Sequence, residues 1–329
     1  MERRALLKSF SVLAATIPVG KVLAQAASPA YSPPTKLPPY KGRLRPGVVA
    51  MSFRNQLETG KMTYEDVVRA AANLGLEGVD MTGYWVPPLQ HFTPGLSSHV
   101  VSDMVRAQPA NPSKQWLASL RSTAYHNAIQ IYSVGSPVKM AQPTPELRQR
   151  EIAFARKWVD IAYELGAGHV RVFAGSIPKG ATEEQAVNWA VEVYKPVLDY
   201  AGSKGLVVGV EDDDELTQTS AQLLAILKKA DSPFARINID CGNFRKDGYA
   251  EVARCTPYAG ATHIKTNMST PDGNREPADW VKLFGILADG GYRGFVSIEM
   301  EPRNQDNPVV RYAPELIRCA RMYSGAQTA

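Results

Sequence analysis

VVGVE (207–211), INID (237–240), THIK (262–265) and VSIE (296–299) are four short β-type runs inside residues 205–301. Each carries one side chain able to hold a metal: Glu211, Asp240, His263 and Glu299. Apolar and polar positions alternate within the runs. Ile237 and Ile239 fall on one face and Asn238 and Asp240 on the other, while Val296 and Ile298 oppose Ser297 and Glu299. Successive metal-competent residues lie 29, 23 and 36 positions apart, room for a crossover helix and a return to a parallel strand. Two glutamates, one aspartate and one histidine are therefore expected at the same end of neighbouring strands, as a divalent-metal site.

Outward from this stretch the same unit recurs: helix, glycine-marked turn, short β-run. Helical periodicity is expected over 64–74, 146–165, 183–203 (interrupted near Pro196), 220–230, 249–256 and 278–289. The runs GVDMT around Asp80 and HVRVF at 169–173, with strands near 48–53 and 129–134, bring the strands to eight. Glycine after a helix recurs because that position commonly needs a left-handed backbone. Alternating α and β argue for a parallel sheet, and eight strands for closure into a (β/α)8 barrel. An open doubly wound sheet lacks support, since no glycine-rich phosphate fingerprint follows the first strand. Residues 84–115 read as a long loop or lid on the catalytic rim, with a short helix over 97–107.

Three carboxylates and one imidazole suit Mn²⁺, Mg²⁺, Co²⁺ or Zn²⁺, and the oxygen majority points to manganese. Four protein ligands on an octahedral ion leave two positions for adjacent substrate oxygens. One acid at a strand end is commonly just a solvated charge; four at consecutive strand ends are not. Lys265, two residues beyond His263 on the same face, reads as a substrate contact or an ion-pair partner of a neighbouring acid. Arg171 faces inward and reads as orienting substrate or a ligand carboxylate, or as an internal ion pair. Glu301 continues the face of Glu299. Trp85 and Tyr84 are candidates for stacking on a substrate ring, or for lid packing. His91, His99, His126 and His169 each stand alone and read as structural.

GVED (209–212), NIDCGNF (238–244), THIKT (262–266) and GYRGFVSIEME (291–301) resemble the sugar-phosphate isomerase/epimerase group of xylose-isomerase-like TIM barrels, over about residues 47–320. The resemblance implies Glu211, Asp240, His263 and Glu299 as metal ligands, with Glu211 and Glu299 also serving as the acid/base pair on opposite faces of a bound ketose or aldose. Asn243 stands where several relatives place a substrate-contacting histidine. Glu211-Asp212-Asp213 departs from the family's frequent Glu-Asn-His. DNA-repair endonucleases of the same superfamily need several more strand-end histidines for a multinuclear zinc cluster, and this chain does not offer them.

Across 329 residues the chain is 44% hydrophobic and 21% charged, as an ordinary globular enzyme is. Its formal charge of +5 is concentrated in residues 1–26, where Arg3, Arg4, Lys8 and Lys21 outnumber Glu2. The near-neutral remainder gives no electrostatic reason to expect nucleic acid or an anionic membrane as partner. Arg3-Arg4, a weakly apolar run from Phe10 to Gly20 and Ala24-Gln25-Ala26 read as a twin-arginine export signal over 1–26, leading to the periplasm or secretion. A proline-rich arm over 27–46 and a barrel over 47–329 are expected to follow, with no membrane span. Cys241, Cys255 and Cys319, an odd number, read as buried core thiols.

The function expected is a metal-dependent sugar isomerase or epimerase acting through an enediolate on a keto-sugar or related carbohydrate. The alternatives are a lyase eliminating a β-substituent from 3-keto-glycosides and a non-catalytic sugar-binding barrel. A homo-oligomer is compatible with either.

Overall fold

Apolar residues, many of them valine or isoleucine, alternate along the strands with polar, small or aromatic ones, and the sheet buries both faces. It does so by closing. Eight parallel strands form a barrel in sequence order: β1 (Arg45–Val49), β2 (Gly78–Thr82), β3 (Gln130–Lys139), β4 (His169–Phe173), β5 (Val207–Glu211), β6 (Ala235–Asp240), β7 (Ala259–Ile264) and β8 (Phe295–Ile298), the last pairing back to β1. This computed structural model describes residues 40–41, 43–88, 92–93, 95–300 and 308–326. The expected export signal at 1–26, most of the arm at 27–46, and His91 and Glu301 lie outside the described residues.

The branched residues Val208, Val210, Ile237, Ile239, Ile264, Val296 and Ile298 are fully buried. They belong to one continuous core with the outer helices. Those helices are α1 (Tyr64–Asn73), α2 (Lys114–His126), α3 (Pro145–Leu165), α4 (Glu183–Ser203), α5 (Ser220–Ala230), α6 (Gly248–Cys255), α7 (Trp280–Asp289) and α8 (Pro308–Met322). Local chemistry sets their ends. Thr63, Thr182 and Thr219 each form a reciprocal capping box, with Asp66, Gln185 and Gln222 respectively. Gly166 ends α3 at φ +77°, a left-handed conformation that glycine adopts without steric cost.

Inside the barrel the side chains form stacked layers. At the N-terminal end Phe295 stacks on Tyr132 with centroids 4.1 Å apart, and Arg45 lies 4.2 Å above the Phe295 ring. Above this plug His169 is buried and bonds Ser133 Oγ through Nδ1 at 2.9 Å. Burial pushes its pKa down to about 4, so the ring is neutral. A Cβ at Gly209 would collide with His169 Nε2, and one at Gly260 would sit 2.9 Å from its Cδ2. The bare backbones of β5 and β7 make room for this ring.

Three expectations are corrected. The first strand is Arg45–Val49, and Ala50–Phe53, expected as strand, forms a 3-10 turn. The third strand continues to Lys139, beyond the expected end near 134, with a shift in its pairing to β4 after Gly135. Helix α4 runs unbroken through Pro196. The carbonyl that Pro196 leaves unpaired belongs to exposed Glu192, where water can satisfy it. All three cysteines are free and buried, and among the described residues no helix is long and apolar enough to cross a membrane.

Candidate metal centre

Period-two alternation on β5 to β8 delivers Glu211, Asp240, His263 and Glu299 to the C-terminal mouth of the barrel. All four are buried, and one ligand atom from each lies within 4.8 Å of the others. His263 is central. Its Nδ1 is 3.2 Å from Glu211 Oε1 and 2.6 Å from Glu299 Oε2, while Nε2 is 3.1 Å from Asp80 Oδ2.

The positive side chains hold the acids in place. Arg171 Nη1 donates to Glu211 Oε2 at 2.6 Å, and Asn238 Nδ2 donates to Glu211 Oε1 at 2.9 Å. Lys265 Nζ bridges Asp240 Oδ2 at 3.0 Å and Glu299 Oε1 at 3.3 Å. Asp240 is fixed again by Gly242, whose N–H donates to Oδ1 at 3.1 Å, and its own N–H donates to Asp212 Oδ1 at 2.7 Å. Burial alone would raise both glutamate pKa values. Arg171 and His263 overturn that for Glu211, and Lys265 and His263 for Glu299, so both are ionised. At Asp240 burial and neighbouring acids outweigh Lys265 and push the carboxyl up.

The donor set fits a divalent cation. Glu299 Oε2 is buried and has no hydrogen-bond partner, despite its short approach to His263. It and Glu211 Oε1 converge on the single nitrogen Nδ1, an arrangement that a cation bound between these atoms would neutralise. Nε2 donating to Asp80 would leave the Nδ1 lone pair for the metal, the usual carboxylate–histidine–metal arrangement.

Other expected site residues fall as follows. Arg171 and Lys265 are ion-paired to ligand carboxylates, and Lys265 keeps 22% of its side chain exposed. Asn243 lies in the turn after β6, where its N–H donates to the Asp240 carbonyl at 3.1 Å. Trp85 is only 3% exposed and lines a cavity of about 210 Å³ with Leu57, Met62, Tyr64 and Trp116, between the β1 loop and the outer helices. Its neighbour Tyr84 instead shares a cleft with Asp213, two residues past Glu211. Asp80 and Asn238 were not anticipated as parts of the site. Alternation in GVDMT does place Asp80 between outward apolar positions, so an inward acid was visible there; its partner across the barrel was not.

Residues 68–321 match the xylose isomerase-like TIM barrel family. The chain belongs to that family. Among its relatives is a Mus musculus protein named "Putative hydroxypyruvate isomerase", 28% identical over 220 residues, covering 60% of this chain and 78% of that one. Family structures superpose over nearly their whole length. D-Psicose 3-epimerase from Clostridium cellulolyticum H10, solved with D-tagatose, gives a TM-score of 0.64 at 15% identity, over 85% of this chain and 99% of that one. The 3-keto-D-glucoside 4-epimerase from E. coli gives 0.62 at 14% identity, over 85% and 100%. At these identities the two structures attest the family fold, not a shared substrate.

Proposed function

We propose that this protein is a divalent-metal-dependent isomerase or epimerase of keto-sugars or related small carbohydrates. The observation that carries the reading is the placement of two ionised, buried glutamates, Glu211 and Glu299, on either side of one imidazole nitrogen within a four-residue metal-competent cluster. The isomerase and epimerase activities named for relatives support it.

A divalent cation held by Glu211, Asp240, His263 and Glu299 would supply Lewis acidity toward a substrate carbonyl and its neighbouring hydroxyl, and the oxygen-rich donor set favours manganese. The protein's own groups handle the protons. The hydrogen on the carbon beside the carbonyl leaves as a proton to one glutamate; its electron pair passes into the enediolate. The other glutamate returns a proton to the same carbon from the opposite face, giving an epimer, or to the adjacent carbon, giving an isomer. Lys265, partly exposed and already beside Glu299, offers an N–H to the developing oxyanion. Arg171 and Asn238 fix the Glu211 carboxylate so that its orientation survives each transfer.

The test pairs metal analysis of the purified protein with incubation in D₂O. Hydroxypyruvate, ketohexoses and 3-keto-glucosides form the panel. Deuterium should appear beside the carbonyl in product or recovered substrate. Elimination of a β-substituent with the same exchange would move the reaction class to lyase. Product formed without deuterium, and without a primary isotope effect when chemistry is rate-limiting, overturns the enediolate.

A further inference from the structure

Beside the metal-competent cluster, on the side of the β2, β3 and β5 loops, lies a second cavity of about 410 Å³. Its walls include Tyr84, Phe173, Ser98, His99, Ser102 and Asp213. It is joined to the cluster through named contacts. The Arg171 guanidinium lies 4.7 Å from the centroid of the Phe173 ring and donates to Glu211 at 2.6 Å, and Asp213 follows Glu211 by two residues. The volume falls in the range of small-ligand sites, at the mouth where barrel enzymes bind substrate.

Among the polar groups on its wall, Ser102 and Asp213 lack protein partners among the described residues. Ser102 is 4% exposed, and its hydroxyl is buried with no hydrogen bond. Such a group costs free energy unless something else bonds it. The Asp213 carboxylate is exposed and has no hydrogen-bond or ion-pair partner among the described residues. The cations on the wall are, by contrast, already engaged. Arg54 donates to Glu58 at 2.7 Å and to Ser98 Oγ at 2.9 Å, and Lys139 pairs with Asp103 at 3.2 Å. Asp214, also on the wall, accepts from the Gly175 N–H at 2.7 Å. What remains free is a hydroxyl, the Asp213 carboxyl, the exposed His99 imidazole and aromatic edges. That combination suits neutral, hydroxyl-rich ligands: sugar hydroxyls exchange hydrogen bonds with a carboxyl, an imidazole and a serine, and sugar C–H faces pack on rings. A phosphate or carboxylate would face Asp213 and Asp214, with Arg54 and Lys139 already committed elsewhere.

We propose that this cavity is a subsite for a neutral glycosyl extension of the substrate, so that the preferred substrate is a keto-sugar bearing a second sugar unit rather than a free monosaccharide or a sugar phosphate. The proposal rests on the isomerase/epimerase reading and narrows its substrate class.

Three probes share one reacting end: D-fructose, isomaltulose (which carries a glucosyl unit on the C6 oxygen) and D-fructose 6-phosphate. Binding by calorimetry and deuterium exchange in D₂O are measured on the manganese-loaded protein. Isomaltulose should bind about tenfold or more tighter than fructose, the effect of one or two hydrogen bonds, and fructose 6-phosphate should bind weakest. Asp213→Asn should bring the isomaltulose-to-fructose ratio toward unity through KM rather than kcat. Ser102→Leu, which fills the cavity, should do the same. Equal binding of fructose and isomaltulose, no binding of isomaltulose, preference for the phosphate, or a ratio indifferent to both substitutions overturns the subsite, even where exchange proceeds. Tight isomaltulose binding that both substitutions weaken, with no exchange from any sugar, overturns the enediolate reading and leaves the subsite standing.

Discussion

Asp80 Oδ2 lies 3.1 Å from Nε2 of His263, on the side of the ring away from Glu211 and Glu299. Strands β2 and β7 are not neighbours in the sheet; the contact exists only because the barrel closes. It divides the imidazole between two sides: Nε2 faces Asp80 and Nδ1 faces the metal-competent cluster.

Asp80→Asn should therefore weaken metal binding by roughly 10–100-fold, the usual cost of losing a carboxylate behind a ligating histidine. Competition with a fluorescent chelator measures this independently of turnover. Unchanged affinity would reduce Asp80 to a core ion-pair partner.

Metal binding should release a proton. Burial lowers the His263 pKa, but Glu299, Asp80 and Glu211 outweigh it and hold it well above its ordinary range. A raised histidine pKa stabilises the metal-free fold fully below the unfolded-state value, about 6.5, and that increment is lost as pH rises through the folded-state value. A metal needs Nδ1 without its proton, so affinity should increase with pH and about one proton should leave at neutral pH. Calorimetry in buffers of different ionisation enthalpy reads it directly; heats independent of buffer would contradict it.

Glu299→Gln should lower kcat by about 10²–10⁴-fold, the range for a lost acid/base group. It should spare much of the metal binding, since an amide oxygen remains. His263→Ala should do the reverse, losing affinity first. Metal titrations and single-turnover rates on both variants separate the two roles.

Arg171→Met should destabilise the metal-free protein by about 3–5 kcal/mol, because it leaves the buried Glu211 carboxylate without its cation. Urea denaturation in the presence of a chelator measures it. A loss below about 1 kcal/mol would mean that Glu211 is compensated by Asn238 and His263 alone.

We propose export by the twin-arginine route. Arg3→Lys with Arg4→Lys should leave the protein in the cytoplasm with its leader attached, as cell fractionation would show; normal export of the double variant refutes it.

The sequence made the barrel and the four-residue cluster legible for the same reason: alternation on β5 to β8 assigns each side chain to the inside or the outside without knowledge of its neighbours. Contacts across the barrel were not legible. Asp80 meets His263 across the barrel and across 183 residues of sequence, and Asn238 reaches Glu211 and His263 on the two strands flanking its own, the latter at 3.5 Å. No local pattern encodes such pairings. Strand ends were misplaced where irregular backbone intervened, as at the 3-10 turn after Val49 and the shifted pairing after Gly135. The unbroken α4 shows a tertiary setting overriding proline, whose cost falls on a solvent-facing carbonyl.

His169 and the two glycines beneath the cluster have a consequence for how this protein can change. Gly209 and Gly260 leave the imidazole no slack, so even an alanine at either position would force the ring or its neighbours to shift. The depth of the reaction well is thereby frozen from below. New specificities, whether selected in nature or in the laboratory, have to be written into the rim, where the segments carrying Tyr84, Ser102 and Asp213 can vary without disturbing the floor.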